Sequence, residues 1–483
     1  MNALIARLRA PFSNLIGSAT GWIVGGALRD TLRGIAADDV DIAVPGDARP
    51  LARALANEHG AGCFQLSKEF NAWRVHSERL PFTIDLTPLQ GSSLVEDLAR
   101  RDFTMNALAL PLDGGELIDP HDGERDLEAG RLRMVGAAAF SADPVRLMRL
   151  GRFARQLNLR LEAETARQAR TDAPLLAGAP PERVLDELAR TIRTGGTRES
   201  LELLDEIGVL TQLVPQLEDA RRMEQTPYHH KDVLGHTLEV VQGVEEIVAD
   251  PEPVFRSSAP RVEERLSAPL ANELTRGQAL VIAAILHDVA KPATRAVSPE
   301  GRVTFMRHDV LGAEMAGEWC MRFRTSNRVR DFVSNCVRQH LVLGFLVHRQ
   351  PLSLRQIDRY LRRVAPEEVE LSVLTVADRL ATRGARTGQA AIDRHLALAR
   401  QVTATYFGLI DRGPIRSPLD GAELARRLDR EPGPWLKDLL DALREEVLVG
   451  RISTPDGATA FAKTWVPEAQ MGESDQPRAR RRR

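Results

Sequence analysis

Cysteine is scarce in this chain. Among 483 residues there are three, Cys63, Cys320 and Cys336, with no CxxC spacing. An odd number that cannot all pair excludes a disulfide framework and points to free thiols in a reducing compartment. Aromatic residues make up only 5%, so platforms of stacked rings for nucleic-acid bases do not stand out. Lysine is rare, with Lys68, Lys231 and Lys291 isolated, and the basic residues are mostly arginine. The 65 basic residues against 67 acidic ones leave a net charge of −2. That excludes a globally basic nucleic-acid coat but allows a local basic groove. No run approaches the ~20 apolar residues of a membrane span. The N-terminal MNALIARLRAPFSNLIGSAT lacks the apolar core and cleavage site of a signal peptide. The expectation is a cytoplasmic protein with no membrane contact.

What is present is enough apolar sequence, 43%, for large cores, and at roughly 100–200 residues per domain the length implies about three or four domains. Residues 1–139 mix short β-like runs (Gly21–Gly25, Val40–Val44 and Phe82–Leu86) with helices and turn residues. From Ser141 to about Leu217 the pattern is helical. Asp143-Pro144 opens one helix, with a capping acid and a proline in the first turn. Glu199–Val209 reads as another, stopped near Gly208 and Pro215. Helices continue from Gln225 to about Val402, with Asp250–Pro269, rich in proline and charge, expected to be a surface loop. A last helical segment runs from Leu419 to about Trp465, and the end, PRARRRR, reads as a basic tail.

Two groups of residues carry chemistry. In the first, Gly25-Gly26 stand between a strand and a short helix, with Arg29 one turn in. Glycines let a phosphate chain approach the backbone, and a helix N-terminus offers free N–H groups. Ten residues after Arg29 come Asp39 and Asp41. At i and i+2 of a strand the two carboxylates share a face, where they would hold Mg²⁺ together with phosphate oxygens. Alone, a Gly-Gly pair is usually just a turn and two such aspartates a solvated strand face; their order and tight spacing favour the catalytic reading. Asp85 is open between a third carboxylate near the metals and a strand-end acid facing water.

The segments GGALRD and DDVDIAV resemble the head domain of the nucleotidyltransferase superfamily, in the bacterial class II that contains CCA-adding enzymes and poly(A) polymerases. Arg100-Arg101-Asp102-Phe103-Thr104-Met105-Asn106-Ala107 is similar to that class's RRDFTxNA motif. Ile118-Asp119-Pro120 with Gly123, Asp126-Leu127 and Gly130 resembles its next stretch, and Asp143-Pro144-Val145-Arg146 resembles its (E)DPxR motif. Ala142 stands where the family often has Glu. The resemblance implies that Asp39 and Asp41 are catalytic and bind Mg²⁺. It implies that Gly25, Gly26 and Arg29 hold the triphosphate, that Arg100, Arg101 and Asp102 contact sugar and phosphate, and that Asn106 belongs to the same nucleotide site. Asp143 and Arg146 would read the incoming base. An Asp accepts from an exocyclic amine while Arg donates to a ring acceptor, a pattern that cytosine and adenine offer and uracil and guanine do not. On the helix that follows, Arg146, Arg149, Arg152 and Arg155 recur every three residues. Its first members would serve the nucleotide and the later ones RNA phosphate, with Arg155 expected on a solvated face. Arg478 and Arg480–Arg483 would add salt-sensitive attraction to tRNA or lie idle.

The second group is histidine-rich. His287-Asp288 follows the apolar run Ala279–Leu286 and precedes Lys291-Pro292, with His236 upstream and His308, His340 and Asp378 downstream. Imidazoles and carboxylates suit transition or divalent metals. The order His236, His287-Asp288, Asp378 resembles the HD phosphohydrolase superfamily, and His308 and His340 are similar to extra ligands in members with a second metal. His229, His230 and His348 are expected at the surface or behind the ligands.

The fold expected is α+β. A small mixed-sheet nucleotidyltransferase head (1–139) precedes a helical neck and body for base and RNA binding (140–224). An HD metal-binding domain (225–404), a helical tail domain (405–470) and a disordered basic end (471–483) follow. The function implied is a tRNA nucleotidyltransferase adding CCA from CTP and ATP, with Mg²⁺ in the head and a divalent metal in the HD segment. A poly(A) polymerase or a CC-only or A-only enzyme would share every one of these motifs. An HD phosphohydrolase with a noncatalytic head, or an RNA-binding scaffold, is a rival of another class that the intact Asp39 and Asp41 weigh against.

Overall fold

The computed structural model describes residues 2–13, 20–223, 230–384 and 388–465. His229 and the arginine-rich end fall outside them. The chain is α+β, as the sequence implied. Its N-terminal head is built on one six-stranded mixed sheet of β1 (Trp22–Val24), β2 (Asp39–Val44), β3 (Gly62–Ser67), β4 (Ala72–His76), β5 (Thr83–Pro88) and β6 (Ala109–Pro111). Their spatial order is β3-β4-β5-β2-β1-β6. Only β2 and β5 run parallel within this sheet; the other neighbours are antiparallel. The three runs read from the sequence are β1, β2 and β5. The hairpin β3–β4 and the short β6 escaped it because their exposed or three-residue stretches carry little period-2 signal.

The sheet has two unlike faces. Val40, Ile42 and Val44 of β2, with Ile23, Ile84 and Leu86, are buried on one face and packed by the helix Arg49–His59. Asp39 and Asp41 alternate with them on β2 and project from the other face. In register across that second face lie Val24 of β1 and Asp85 of β5, both opposite Asp41. A short helix α1 (Gly26–Leu32) leaves the end of β1.

Beyond the head the structure is helical. The neck contributes α2 (Arg146–Gln156) and α3 (Pro181–Thr194). Four helices and their ends carry the histidines: α4 (Val233–Ala249), α5 (Arg276–Leu286), α6 (His308–Arg322) and α7 (Asn327–Gln339). They are followed by α8 (Glu368–Ala381) and α9 (Gln389–Arg412). Neck and histidine-bearing helices share one continuous apolar core, reaching from Phe103 and Phe140 through Leu150 and Leu188 to Val373. The last three helices, Gly421–Arg427, Trp435–Leu448 and Pro455–Thr464, close over their own small core around Leu424, Leu443 and Ala458. The boundary expected at 404/405 falls inside the continuous helix α9.

Asp250–Pro269 is not a surface loop. It forms the helices Glu252–Phe255 and Ala259–Ser267, and Val254, Phe255, Ala259, Val262 and Leu266 are buried. Pro253 and Pro260 occupy the first turns of these helices, and Pro251 stands at the N-terminal boundary of the first, where a missing N–H has no intrahelical partner to lose. The helix expected from Glu199 runs over Thr197–Glu206, and Gly208 beyond it is left-handed at φ +73°.

The stretch after the head sheet is held by side chains. Asp119 accepts from the backbone N–H groups of Gly123 and Glu124 at 2.8 and 2.9 Å. Asp126, almost fully buried, accepts from the Thr104 hydroxyl at 2.8 Å and from Arg133 at 2.7 Å. Gly123 presses so tightly on the Thr104 backbone that a Cβ there would run into the Thr104 carbonyl oxygen. Gly123→Ala is therefore expected to destabilise the head by about 1–3 kcal/mol, the usual cost of overpacking, and to lower the melting temperature. An unchanged melting curve would contradict the close packing described.

Candidate active site and metal centre

The head and neck enclose a polar cleft of about 720 Å³ lined by Gly25, Gly26, Arg29, Asp39, Asp41, Arg100, Arg101, Asp102, Asn106, Arg146, Arg149 and Glu187, among others. Of the nucleotide-site residues expected from sequence, only Asp143 does not line it. Gly25 adopts φ +76°, and a Cβ added there would sit 2.9 Å from Arg101 and 3.5 Å from Asp41 Oδ2. The glycine turn thus abuts the carboxylate directly, which leaves room for a phosphate chain only because there is no side chain. Burial raises the pKa of Asp41; Arg101 opposes the rise, while Asp85 and then Asp39 add to it. A carboxylate crowded by two others beside a phosphate cradle is a donor set that gains from a divalent cation. Asp85 lies beside Asp41 yet is bound bidentately by Arg74 at 2.7 and 2.7 Å.

A chain of polar contacts links the glycine turn to the neck. Arg29 is held by Asp30 at 2.9 Å and donates to Asn106 Oδ1 at 3.0 Å. The Asn106 amide donates to Asp102 at 2.9 Å, and Asp102 accepts from Arg149 at 2.9 Å. Arg149 also donates to Glu187 at 2.8 Å, and Arg152 donates to the second Glu187 oxygen at 2.9 Å. Burial alone would favour the neutral acid at Asp102; Arg149, Asn106 and the Phe103 N–H outweigh it and hold the pKa below the usual carboxylate range. Arg149, drawn between two buried acids, is raised above its ordinary value despite its own burial. Glu187 was not singled out in the sequence. The signal was there: α3 buries Val184, Leu188 and Ile192 on one face, and Glu187 is a charge on that apolar face.

Arg146 and Asp143 are placed differently from a free base-reading pair. Arg146 donates to the backbone carbonyls of Arg100, Arg101 and Ala139 at 2.7, 3.2 and 3.1 Å. Its Nε lies 3.8 Å from Asp143. Asp143 is bound bidentately by Arg183 at 3.1 and 2.7 Å. Burial opposes the charge of Asp143, but Arg183 outweighs it and keeps the carboxyl below its usual range. Arg155, more than half exposed, projects from the neck surface 4.0 Å from Glu199.

The second site lies among α4–α8. Asp232 caps α4 by accepting from the Gly235 N–H at 2.7 Å, which fixes His236 in the first turn. A Thr275/Gln278 capping box starts α5, which ends at His287-Asp288. His287 Nδ1 lies 2.8 Å from the Ala284 carbonyl and His340 Nδ1 2.6 Å from that of Val337, each oxygen three residues back at a helix C-terminus. His308 Nδ1 lies 2.7 Å from the Phe305 carbonyl. A ring that donates from Nδ1 must keep an unprotonated Nε2 when neutral, and that nitrogen is turned inward.

Nε2 of His287 and of His308 is buried and makes no hydrogen bond. His236, His287 and Asp378 bring ligand atoms within 4.8 Å of one another, and so do Asp288, His308 and His340. Asp288 stands between the groups: Oδ2 is 3.1 Å from His287 Nε2 and Oδ1 is 3.3 Å from His308 Nε2. Lys291 approaches Oδ2 at 2.6 Å. Burial pushes the His340 imidazole down to about 4, with His287 adding to the shift, so it is neutral, the form a metal ligand requires. Of the remaining histidines, His230 lies 3.2 Å from Glu239, and His348 is exposed at the mouth of the adjoining cavity. His395, buried behind Asp378 and bonded to Thr375 at 3.1 Å, was not anticipated.

Residues 21–133 match the poly A polymerase head domain, 158–221 the "Probable RNA and SrmB- binding site of polymerase A", and 233–383 the HD domain. The chain is 33% identical over 454 residues to an A-adding tRNA nucleotidyltransferase of Deinococcus radiodurans, covering 92% of this chain and 95% of that one. It is 32% identical over 450 residues to a CC-adding tRNA nucleotidyltransferase of Thermus thermophilus, covering 92% and 93%. Among solved structures, a CCA-adding enzyme in complex with ATP aligns over 95% of this chain and 94% of that one, with a TM-score of 0.65 and 19% identity, a likeness of fold. The class defined by head and cleft is that of nucleotidyltransferases. Within it the chain belongs to the tRNA nucleotidyltransferase family, with an HD domain. No helix among the described residues is long and apolar enough to cross a membrane.

Two outcomes are expected. Glu187→Ala leaves Arg149 and Arg152 without their shared buried counter-charge. It should cost about 3–5 kcal/mol of stability, as breaking a buried pair does, and weaken nucleoside triphosphate binding in a fluorescence titration; wild-type values for both would contradict the bridging role. At the HD site, protein dialysed against Mn²⁺ or Ni²⁺ should retain metal by elemental analysis. His287→Ala should lose it, whereas equal metal content in the two proteins would show that the ligand set is misassigned.

Proposed function

We propose that the chain extends the 3′ end of tRNA with cytidylate and adenylate, using CTP and ATP. The observation that carries this reading is the convergence of Asp39 and Asp41 with the glycine turn, Arg29 and Arg101 in one cleft. Mg²⁺ held by Asp39 and Asp41 would supply positive charge against the phosphate oxygens and favour the ionised form of the attacking hydroxyl. The residues of the chain do the rest. Gly25 and Gly26 let the triphosphate lie against the backbone at the start of α1, and Arg29 and Arg101 neutralise its oxygens. Asp102 and Asn106, with Arg149, set the position of the sugar. A new bond forms between the RNA 3′-oxygen and the α-phosphorus while the bond to pyrophosphate breaks.

Asp143 and Arg146 are the pair assigned to base selection. Their engagement by Arg183 and by the carbonyls of Arg100 and Arg101 means that an incoming base must exchange those partners for its own edge. Cytosine and adenine present an amine beside an acceptor nitrogen and satisfy both residues; uracil and guanine leave one unpaired, which is costly in a closed site.

A narrower reading also has support. Two relatives matched over more than nine-tenths of this chain are named A-adding and CC-adding tRNA nucleotidyltransferases, so a specialist that performs part of the sequence is the second candidate. The HD domain, with its imidazoles oriented inward, is proposed to bind a divalent metal that would polarise a phosphoester and activate water, with Lys291 neutralising the developing charge.

Purified protein with Mg²⁺, labelled CTP and ATP, and tRNAs ending at the discriminator base or at CC distinguishes these readings. Addition of C, C and A to the first substrate supports the full reaction; C alone on the first, or A alone on the second, supports a specialist. No incorporation on either tRNA would refute the proposal. Asp39→Ala and Asp41→Ala should each reduce incorporation by about 10²–10³-fold or more, on the scale of removing a main electrostatic contributor. Asp143→Ala should relax discrimination against UTP or GTP or suppress addition, and an unchanged nucleotide profile would remove it from base selection.

A further inference from the structure

A second cavity, of about 530 Å³, opens beside the catalytic cleft and shares Gln90, Asp97, Arg100, Arg101 and Arg146 with it. The rest of its wall is Ala43, Thr87 and Pro88 of the sheet, Phe70 of the β3–β4 turn, and Ala142. Ala43 lies two residues beyond Asp41 on β2 and is paired in register with Thr87, as Asp41 is with Asp85. The cavity is therefore the same sheet face continued one pleat past the catalytic carboxylates, about 7 Å along the strand. That is close to the reach from a reacting 3′-oxygen to the base of its own nucleotide.

The side on which the cavity lies matters. Across the sheet, Asp41 has β1 and the glycine turn on one flank and β5 on the other. The triphosphate is assigned to the glycine flank. An in-line displacement needs the attacking oxygen opposite the leaving pyrophosphate, and the β5 flank is where this cavity sits.

Phe70 is the unusual feature of the wall. It is 52% exposed, in a chain with few aromatic residues. It is not on a loose loop. The β3–β4 turn is tied by the Phe70 N–H donating to Ser67 Oγ at 3.3 Å, and Asn71 stands in the left-handed region at φ +47°. The Asn71 amide donates to Asp47 at 2.9 Å, and its oxygen accepts from the Trp73 indole at 3.1 Å. These bonds hold an apolar ring in the lining of a cavity that Arg100, Arg101 and Arg146 also line, the combination that binds single-stranded nucleic acid: an aromatic face for a base and cations for the backbone.

Resting on the tRNA-extending function proposed above, we infer that this cavity binds the 3′-terminal nucleoside of the tRNA acceptor strand. Phe70 stacks on its base and Arg100 faces its phosphate. The incoming nucleotide is read by the neck, and the end that receives it is gripped by the β3–β4 turn. Stacking tolerates any base, so one platform serves a tRNA end whose terminal base changes as it grows.

The test uses the full chain with tRNA carrying 2-aminopurine as its terminal base, whose emission reports stacking. Wild type, Phe70→Ala and Phe70→Trp are compared, each at a concentration that saturates tRNA in a gel-shift titration. Wild type and Phe70→Trp should change the emission, and Phe70→Ala should not. In steady-state addition, Phe70→Ala should lower kcat/KM for tRNA by about tenfold, the scale of one base–aromatic stack, with the KM for the nucleotide within twofold of wild type. Phe70→Trp should restore the tRNA value. An identical emission change in Phe70→Ala, or a tRNA kcat/KM equal to wild type, overturns this inference while leaving the proposed function intact. If wild type adds nothing to any tRNA, both fall together.

Discussion

The active-site cleft depends on one constraint: two aspartates placed two residues apart on a strand whose other face is buried. The alternation of β2 puts Val40, Ile42 and Val44 into the head core and leaves Asp39 and Asp41 no choice but the opposite face. A slip of one residue would bury both acids and expose three large aliphatic side chains, a penalty far above the stability of a domain of this size. The core therefore aims the carboxylates, and the glycine turn, Arg29 and the arginines of the 100–101 pair are arranged around them.

From that face the polar ladder Arg29–Asn106–Asp102–Arg149–Glu187–Arg152 carries position from the head into the neck. Each member is satisfied by the next, so the buried charges are neutralised in series. The RRDF segment does double duty. Its side chains line the cleft, and its carbonyls accept from Arg146. Head and neck are thus joined at the place where a nucleotide would bind. In the HD domain the same logic appears with different chemistry. Helix termini leave carbonyls without partners, imidazoles satisfy them from one nitrogen, and the other nitrogen is thereby committed to the centre.

Much of this was legible in the sequence, for identifiable reasons. Asp39 and Asp41, with Gly25 and Gly26, sit on a strand periodicity and at a strand end, where spacing decides geometry; the histidines and aspartates from His236 to Asp378 are spread too far for that, and their grouping came from the family resemblance. What was not legible depends on tertiary packing. The β3–β4 hairpin and its Phe70 give almost no pattern, because that edge is exposed on both faces. Glu187 is visible as a charge on the apolar face of α3, but that this face meets Arg149 and Arg152 is decided by packing. Asp250–Pro269 was misread because prolines in first turns look like breakers when the helices they begin are short. The partners of Asp143 and Arg146 lie 40 and 46 residues away, beyond any local rule.

The placement of the two carboxylates is tested most directly by a crystal structure with CTP and Ca²⁺, an ion that occupies oxygen sites without supporting turnover. Ca²⁺ is expected within about 2.3–2.6 Å of oxygens from both Asp39 and Asp41, with the triphosphate against Gly25 and Gly26. An ion bound by Asp85 alone, or a triphosphate lying away from the glycine turn, would contradict this placement.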